Sequence, residues 1–208
     1  MATLILDRML ERRLIARRRQ LGLDRWDEMW EGVYVMVPPA DIEHFQVSGE
    51  LASVLTVAVK WAGLGEVYSG VAISDRQRSW KKNFRVPDIA VFLPGNPARD
   101  CRTHWCGGPD LAIEMVSPRD RARSKIPFYA QVGTRELLLV ERRPWRLTHF
   151  RLAEGQLREA GQSSRDTAAA LTSGVVPLAF QLLESAGRPE ILIRHTGDGR
   201  EWRVKSRG

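Results

Sequence analysis

Two carboxylates interrupt stretches that otherwise read as buried β-strands, and no feature constrains the fold of this 208-residue chain more tightly. Asp88 stands in Pro87-Asp88-Ile89-Ala90-Val91, and Glu114 in Ala112-Ile113-Glu114-Met115-Val116. A carboxylate buried without a partner costs several kcal/mol, so each calls for a partner, a proton or a metal ion. On adjacent strands the two make a hard-oxygen site suited to Mg²⁺ or Mn²⁺. Such an ion activates water and neutralises charge on a phosphodiester, and a nearby lysine orients the water and holds the phosphate.

Around these stretches the hydrophobic period alternates between helix and strand. Leu4, Leu10, Leu14 and Leu21 form a helical stripe ending near Gly22, with arginines covering the rest. Val33–Val37 reads as a strand, and Asp41 caps a helix whose apolar face runs from His44 to Ala62. Strands follow at Val67–Ile73, at Phe84–Leu93 with an irregularity at Pro87, and at Leu111–Val116. Residues 94–109 read as a loop. Ser117 and Pro118 suit the start of a helix running towards Gly133 and bent or interrupted at Pro127. A hairpin is expected from Glu136–Glu141 and Trp145–Leu152, then an apolar run from Val175 and strands at Ile191–Arg194 and Glu201–Val204. The expected fold is mixed α/β (α+β). It divides into a basic helical arm (1–24), a main domain (25–183) and a basic carboxy-terminal hairpin (184–208).

Charge adds a partner class. Of 32 basic residues only five are lysine, and the net charge is +7. The excess is concentrated in residues 1–20, at +4, and in residues 117–151, at +6. Arginine forks suit phosphate, so a polyanion is the expected partner, with a solvated arginine-rich surface as the plainer reading. Apolar residues at 43% and charged ones at 27% exclude a disordered tail, a fibrous repeat and a disulfide scaffold. No apolar run approaches the ~20 residues of a membrane span. Asp7, Arg8 and Glu11 interrupt the apolar start as no signal peptide would, and two cysteines agree with the cytoplasm as the expected compartment.

Several motifs together carry a family resemblance. Trp30-Glu31-Gly32-Val33-Tyr34 through His44, Val86-Pro87-Asp88, Gly108-Pro109-Asp110-Leu111 and Ile113-Glu114-Met115-Val116-Ser117-Pro118, with Asp120, Lys125, Tyr129 and Gly133, resemble the Uma2 family over about residues 26–152. The resemblance implies a restriction-endonuclease-like PD-(D/E)XK core, a central mixed sheet flanked by helices. It also implies a metal-dependent endonuclease site with Asp88 and Glu114 as ligands of Mg²⁺ or Mn²⁺. The general pattern wants lysine two residues after Glu114, where this chain has Val116. The implied substitute is Lys125, one helical turn before Tyr129, with a solvated helix lysine as the alternative. Glu31 and His44 are the supporting candidates, although a histidine on an apolar helix face also serves as a hydrogen-bonded core residue.

DNA is the expected partner, met by Arg119, Arg121 and Arg123 after the glutamate strand and by Lys81 and Lys82 beside Trp80, whose ring can stack on a base. A homodimer is the expected assembly. Cys101, His104 and Cys106 would bind zinc only with a ligand from elsewhere. Two competing readings stand beside the nuclease. Val116 favours a catalytically silent nuclease-fold protein that binds nucleic acid or a protein, and the two acids could act without metal, as in glycoside hydrolases.

Overall fold

The computed structural model describes residues 7–116, 121–184 and 188–205. A six-stranded mixed sheet forms its centre, in the order Gln156–Ser164, Trp145–Ala153, Glu136–Arg142, Leu111–Val116, Ile89–Phe92, Glu66–Ser69. Leu111–Val116 and Glu136–Arg142 run parallel, and every other neighbouring pair is antiparallel. Strand alternation sorts the side chains into two layers. Ile89, Val91, Leu111, Ile113 and Met115 face a core shared with Val47, Leu51 and Leu55. Ala90, Phe92 and Ala112 face a second core, shared with Phe128 and Tyr129.

Three helices complete the frame. Helix α1 (Arg8–Gln20) is capped by Asp7. Helix α2 (Ile42–Leu55) is capped by Asp41, which accepts the His44 N–H at 2.7 Å, and continues as a π-helical turn to Lys60. Helix α3 (Ile126–Gln131) follows a 3₁₀ turn at Ala122–Lys125. Pro127 lies in the first turn of α3, where its missing N–H costs nothing, so the helical segment is interrupted there, between the 3₁₀ turn and α3, and not bent. The expected cap at Ser117–Pro118 lies outside the described residues.

A small second sheet joins Val33–Val35, Glu28–Trp30, Phe84–Arg85, Ile73–Ser74, Trp105–Cys106 and Arg99–Asp100. It splits two stretches expected as single strands. Phe84–Leu93 divides at Val86-Pro87-Asp88, and Val67–Ile73 divides at Gly70. Gly70 has φ +66° and lies so close to Trp26 that a Cβ would fall 1.9 Å from its ring. Its N–H donates to the Asp88 carbonyl at 3.1 Å, which fixes the break beside the aspartate.

A third, four-stranded sheet (Leu171–Thr172, Leu178–Leu183, Glu190–His195, Glu201–Lys205) packs against α2. The hairpin of residues 190–205 thus sends Ile191, Ile193 and Val204 into the same core as Leu51. Its basic side chains, Arg194 and Arg203, form ion pairs with Glu201 and Glu190. No helix among the described residues is long and apolar enough to cross a membrane.

Candidate active site

The antiparallel register pairs Ile89 with Ile113, and Asp88 stands at the bend just before Ile89, beside Met115 of the glutamate strand. The Asp88 Oδ2 accepts the Met115 N–H at 2.7 Å, so the aspartate is fixed to the strand that carries the glutamate. The other oxygen, Oδ1, lies 2.8 Å from His44 Nε2 at the start of α2. A carboxylate only accepts, so the imidazole holds its proton on this nitrogen.

Glu114 is 3% exposed and meets two side chains from one short segment. Lys125 Nζ donates to both its oxygens at 2.9 and 3.0 Å, and the Tyr129 hydroxyl donates to Oε1 at 2.5 Å. The four-residue spacing of Lys125 and Tyr129 delivers both to one carboxylate, although the lysine sits on the 3₁₀ turn and only the tyrosine on α3. The lysine therefore reaches the glutamate from the following helical segment and not from position 116.

A third carboxylate completes the cluster. Glu28 is 1% exposed, and its Oε1 lies 2.9 Å from Lys125 Nζ. It was not among the residues singled out by sequence, where Glu31 took this place. Glu31 occupies the tight turn after Trp30, at φ +50°, with its N–H donating to Asn83 Oδ1 at 3.1 Å. It lines a polar cleft of about 410 Å³ with Asp75, Arg76 and Lys82. No hydrogen bond or ion pair joins it to Asp88, Glu114 or Lys125 among the described residues. Strand alternation was the available signal: Glu28 and Trp30 share a face, and the indole N–H donates to Glu28 Oε2 at 2.6 Å.

The electrostatics follow from two buried glutamates that share one buried ammonium, with Asp88 near Glu114. Burial pushes the Glu114 carboxyl up to about 8, with Asp88 and Glu28 adding to the rise and Lys125 opposing it. Burial opposes the charge on Lys125, yet Glu114 and Glu28 outweigh it and hold the ammonium charged, above its ordinary range. Burial and Glu114 together push the Tyr129 hydroxyl well up, so it stays a donor. Asp88 and Glu114 are the carboxylates that would hold a divalent cation, whose charge would keep Glu114 ionised. No three acidic, imidazole or thiol side chains form a ready metal cluster among the described residues. Magnesium, which takes one or two carboxylates and keeps water, does not need one.

Other sequence-derived residues fall elsewhere. Arg119 lies outside the described residues. Arg121 stacks over Trp30 at 4.8 Å, and Arg123 pairs with Glu141 at 3.1 Å. Lys82 lines the polar cleft, while the Lys81 ammonium lies over Trp80 at 5.7 Å. The Trp80 ring is stacked on His104 at 4.7 Å and edge-on to Phe84, so packing already employs it. His104 Nε2 is 3.1 Å from the Arg76 carbonyl and both cysteines are free, so the Cys-x-x-His-x-Cys segment forms no metal cluster among the described residues.

A mixed central sheet with a helix packed on each face matches the restriction-endonuclease-like core that the resemblance implies. The sequence profile of Uma2, described as "Putative restriction endonuclease", matches residues 23–182, and the chain belongs to this family. Among solved structures it is similar to a putative nuclease of the DUF820 group from Anabaena variabilis, at 19% identity and a TM-score of 0.56. That likeness covers 71% of this chain and 80% of the other. No curated protein matches the sequence.

Proposed function

We propose that the protein is a Mg²⁺- or Mn²⁺-dependent endonuclease that hydrolyses DNA phosphodiester bonds. The observation that carries this reading is the placement of Lys125 against Glu114, with the Asp88 carboxylate held by the backbone N–H of the next residue, Met115. Asp88 and Glu114 would hold the ion, which supplies charge neutralisation at the phosphate and activation of water. His44 orients the Asp88 carboxylate through Oδ1, and Tyr129 fixes Glu114 from the opposite side. Lys125 orients the attacking water and holds the phosphate oxygen as charge develops on it. DNA would be gripped through the exposed arginines of α1 (Arg12, Arg13, Arg17 and Arg19) and through the basic segment that follows Glu114.

One observation favours a second reading, a catalytically silent nuclease-fold protein that binds nucleic acid. All four carboxylate oxygens of Asp88 and Glu114 already have protein partners. Plasmid cleavage with and without Mn²⁺, by wild type and Asp88→Asn, separates the two. The nuclease reading expects Mn²⁺-dependent cleavage that Asp88→Asn abolishes. It expects as well a rise in melting temperature with millimolar Mn²⁺ that the variant lacks. Salt-sensitive DNA binding without cleavage at any Mn²⁺ concentration would establish the silent reading.

A further inference from the structure

We propose that Glu28 is a positioning residue: it sets the Lys125 ammonium against Glu114 and ties it to the backbone that presents Asp88. The role rests on the nuclease reading above and adds to it a residue outside the Asp88–Glu114–Lys125 set. Three donors converge on this one carboxylate. Lys125 Nζ lies 2.9 Å from Oε1, the Val86 N–H donates to the same oxygen at 2.8 Å, and the Trp30 indole N–H donates to Oε2 at 2.6 Å. Val86 stands two residues before Asp88, at the break between the two sheets. One oxygen of Glu28 is therefore common to the lysine and to the strand entry of the aspartate.

An ammonium has three protons and no acceptor capacity, so acceptors in two directions fix its rotation. The two Glu114 oxygens lie together in one direction and Glu28 in the other, which leaves a proton for the water and phosphate oxygen assigned to it above. Lysine is otherwise a flexible stem with a point charge, unlike the planar fork of arginine. Without Glu28 the ammonium could pivot about the Glu114 carboxylate towards or away from a phosphate. The Trp30 indole serves the same end one step further out, because it fixes the glutamate that fixes the lysine. Trp30 itself is held between the guanidinium groups of Arg85 and Arg121, at 4.5 and 4.8 Å.

Glu28→Gln is the discriminating change, since an amide cannot accept from Lys125, Val86 and Trp30 together without setting its own NH₂ against one of those donors. In the full-length protein, single-turnover cleavage at saturating Mn²⁺ should fall about 10–100-fold, the usual effect of a supporting partner, with DNA affinity held within about twofold. A second readout is independent of turnover. The chain has five lysines, so ¹⁵N-lysine NMR gives few ammonium signals, and Lys125→Arg assigns the buried one. That signal should be protected from exchange in wild type and lost in Glu28→Gln, with the other four unchanged. Glu28→Asp, which keeps the charge and shortens its reach, should recover part of both. An unchanged Lys125 signal in Glu28→Gln, or parallel losses of folding and DNA affinity that account for the rate, would overturn the assignment. A wild type that cleaves no DNA, with the Lys125 signal still responding to Glu28→Gln, would overturn the nuclease reading and leave the positioning of Lys125 by Glu28 in place.

Discussion

Glu114 and Glu136 lie on neighbouring parallel strands, each 3% exposed, and their carboxyls are driven in opposite directions. Burial pushes both up, but Glu136 ends below the ordinary range because donors outnumber its needs. The His149 ring nitrogen lies 3.2 Å from it, Ser173 Oγ donates at 2.5 Å, the Gly174 N–H at 2.8 Å and Arg151 Nε at 3.2 Å. Glu114 shares its one cation with Glu28 and faces a further carboxylate, so it ends high, at about 8. Equal burial therefore serves two purposes. One glutamate, met by four donors, fastens the Glu136–Arg142 strand to the Ser173 turn, whereas the other shares a single ammonium with Glu28 and keeps the raised carboxyl that the proposed function draws on.

The sharpest way to break this contrast is at the shared cation. Lys125→Ala should lower single-turnover cleavage of DNA by about 10²–10⁴-fold at saturating Mn²⁺. Mn²⁺ affinity, measured by thermal shift, should hold or rise, because a competing positive charge is lost. Equal rates in wild type and variant would remove Lys125 from the mechanism.

The next test exchanges the two glutamates. Glu136→Ala strands several buried donors and should cost about 2–4 kcal/mol in urea unfolding, with the cleavage rate per folded molecule unchanged. Glu114→Gln should do the reverse, abolishing the Mn²⁺-dependent rise in melting temperature at little cost to the metal-free protein. Two variants that lose stability alike would show that Glu114 is only another structural carboxylate.

The pH dependence sharpens the contrast further. Glu114 binds its proton more tightly folded than unfolded, so between about pH 4.5 and 8 the folded state holds the extra proton and stability falls as pH rises. The slope is at most about 1.4 kcal/mol per pH unit, and Glu114→Gln should flatten it. Glu136 has the opposite sign. Its contribution is complete above the ordinary glutamate range and fades as pH drops below it, so Glu136→Gln should lessen acid sensitivity. Melting curves without divalent metal from pH 4 to 9 check both.

The smallest effects belong to charges that meet only solvent. Arg13 is exposed on α1, whereas Arg18 on the same helix donates to Asp27 at 2.6 Å and to the Val37 carbonyl at 2.9 Å. Arg13→Ala should leave melting unchanged and reduce the salt dependence of DNA binding by about 0.9 log unit per log unit of salt, one phosphate's worth. Arg18→Ala should loosen the arm and lower melting slightly.

Much of this molecule was legible because its signals are local. The apolar run of Leu111–Val116, the Asp41-capped face of α2 and the hairpin across Arg142–Pro144 all appear where the hydrophobic period places them. The strand Gln156–Ser164 gives no such signal. As the edge of the central sheet it buries little beyond Leu157 and Ser163, so its sequence stays polar on both faces. Trp105–Cys106 and Arg99–Asp100 are similarly silent, because two-residue strands carry no period.

The sequence by itself determined that Asp88 and Glu114 each needed a partner, a proton or a metal ion, since a carboxylate among apolar neighbours is costly to leave alone. It also placed Lys125 and Tyr129 one turn apart, a spacing fixed by local helical geometry. Only the tertiary structure decided that Glu28, and not Glu31, turns inward to the lysine. They stand three positions apart, and the choice depends on pairing Met29 with Phe84, on the left-handed turn at Glu31–Gly32 and on Lys125 arriving from nearly a hundred residues further along. Local periodicity records which way a side chain faces within its own element. Which of two acids meets a distant cation is set by long-range packing, and no window of sequence contains both partners.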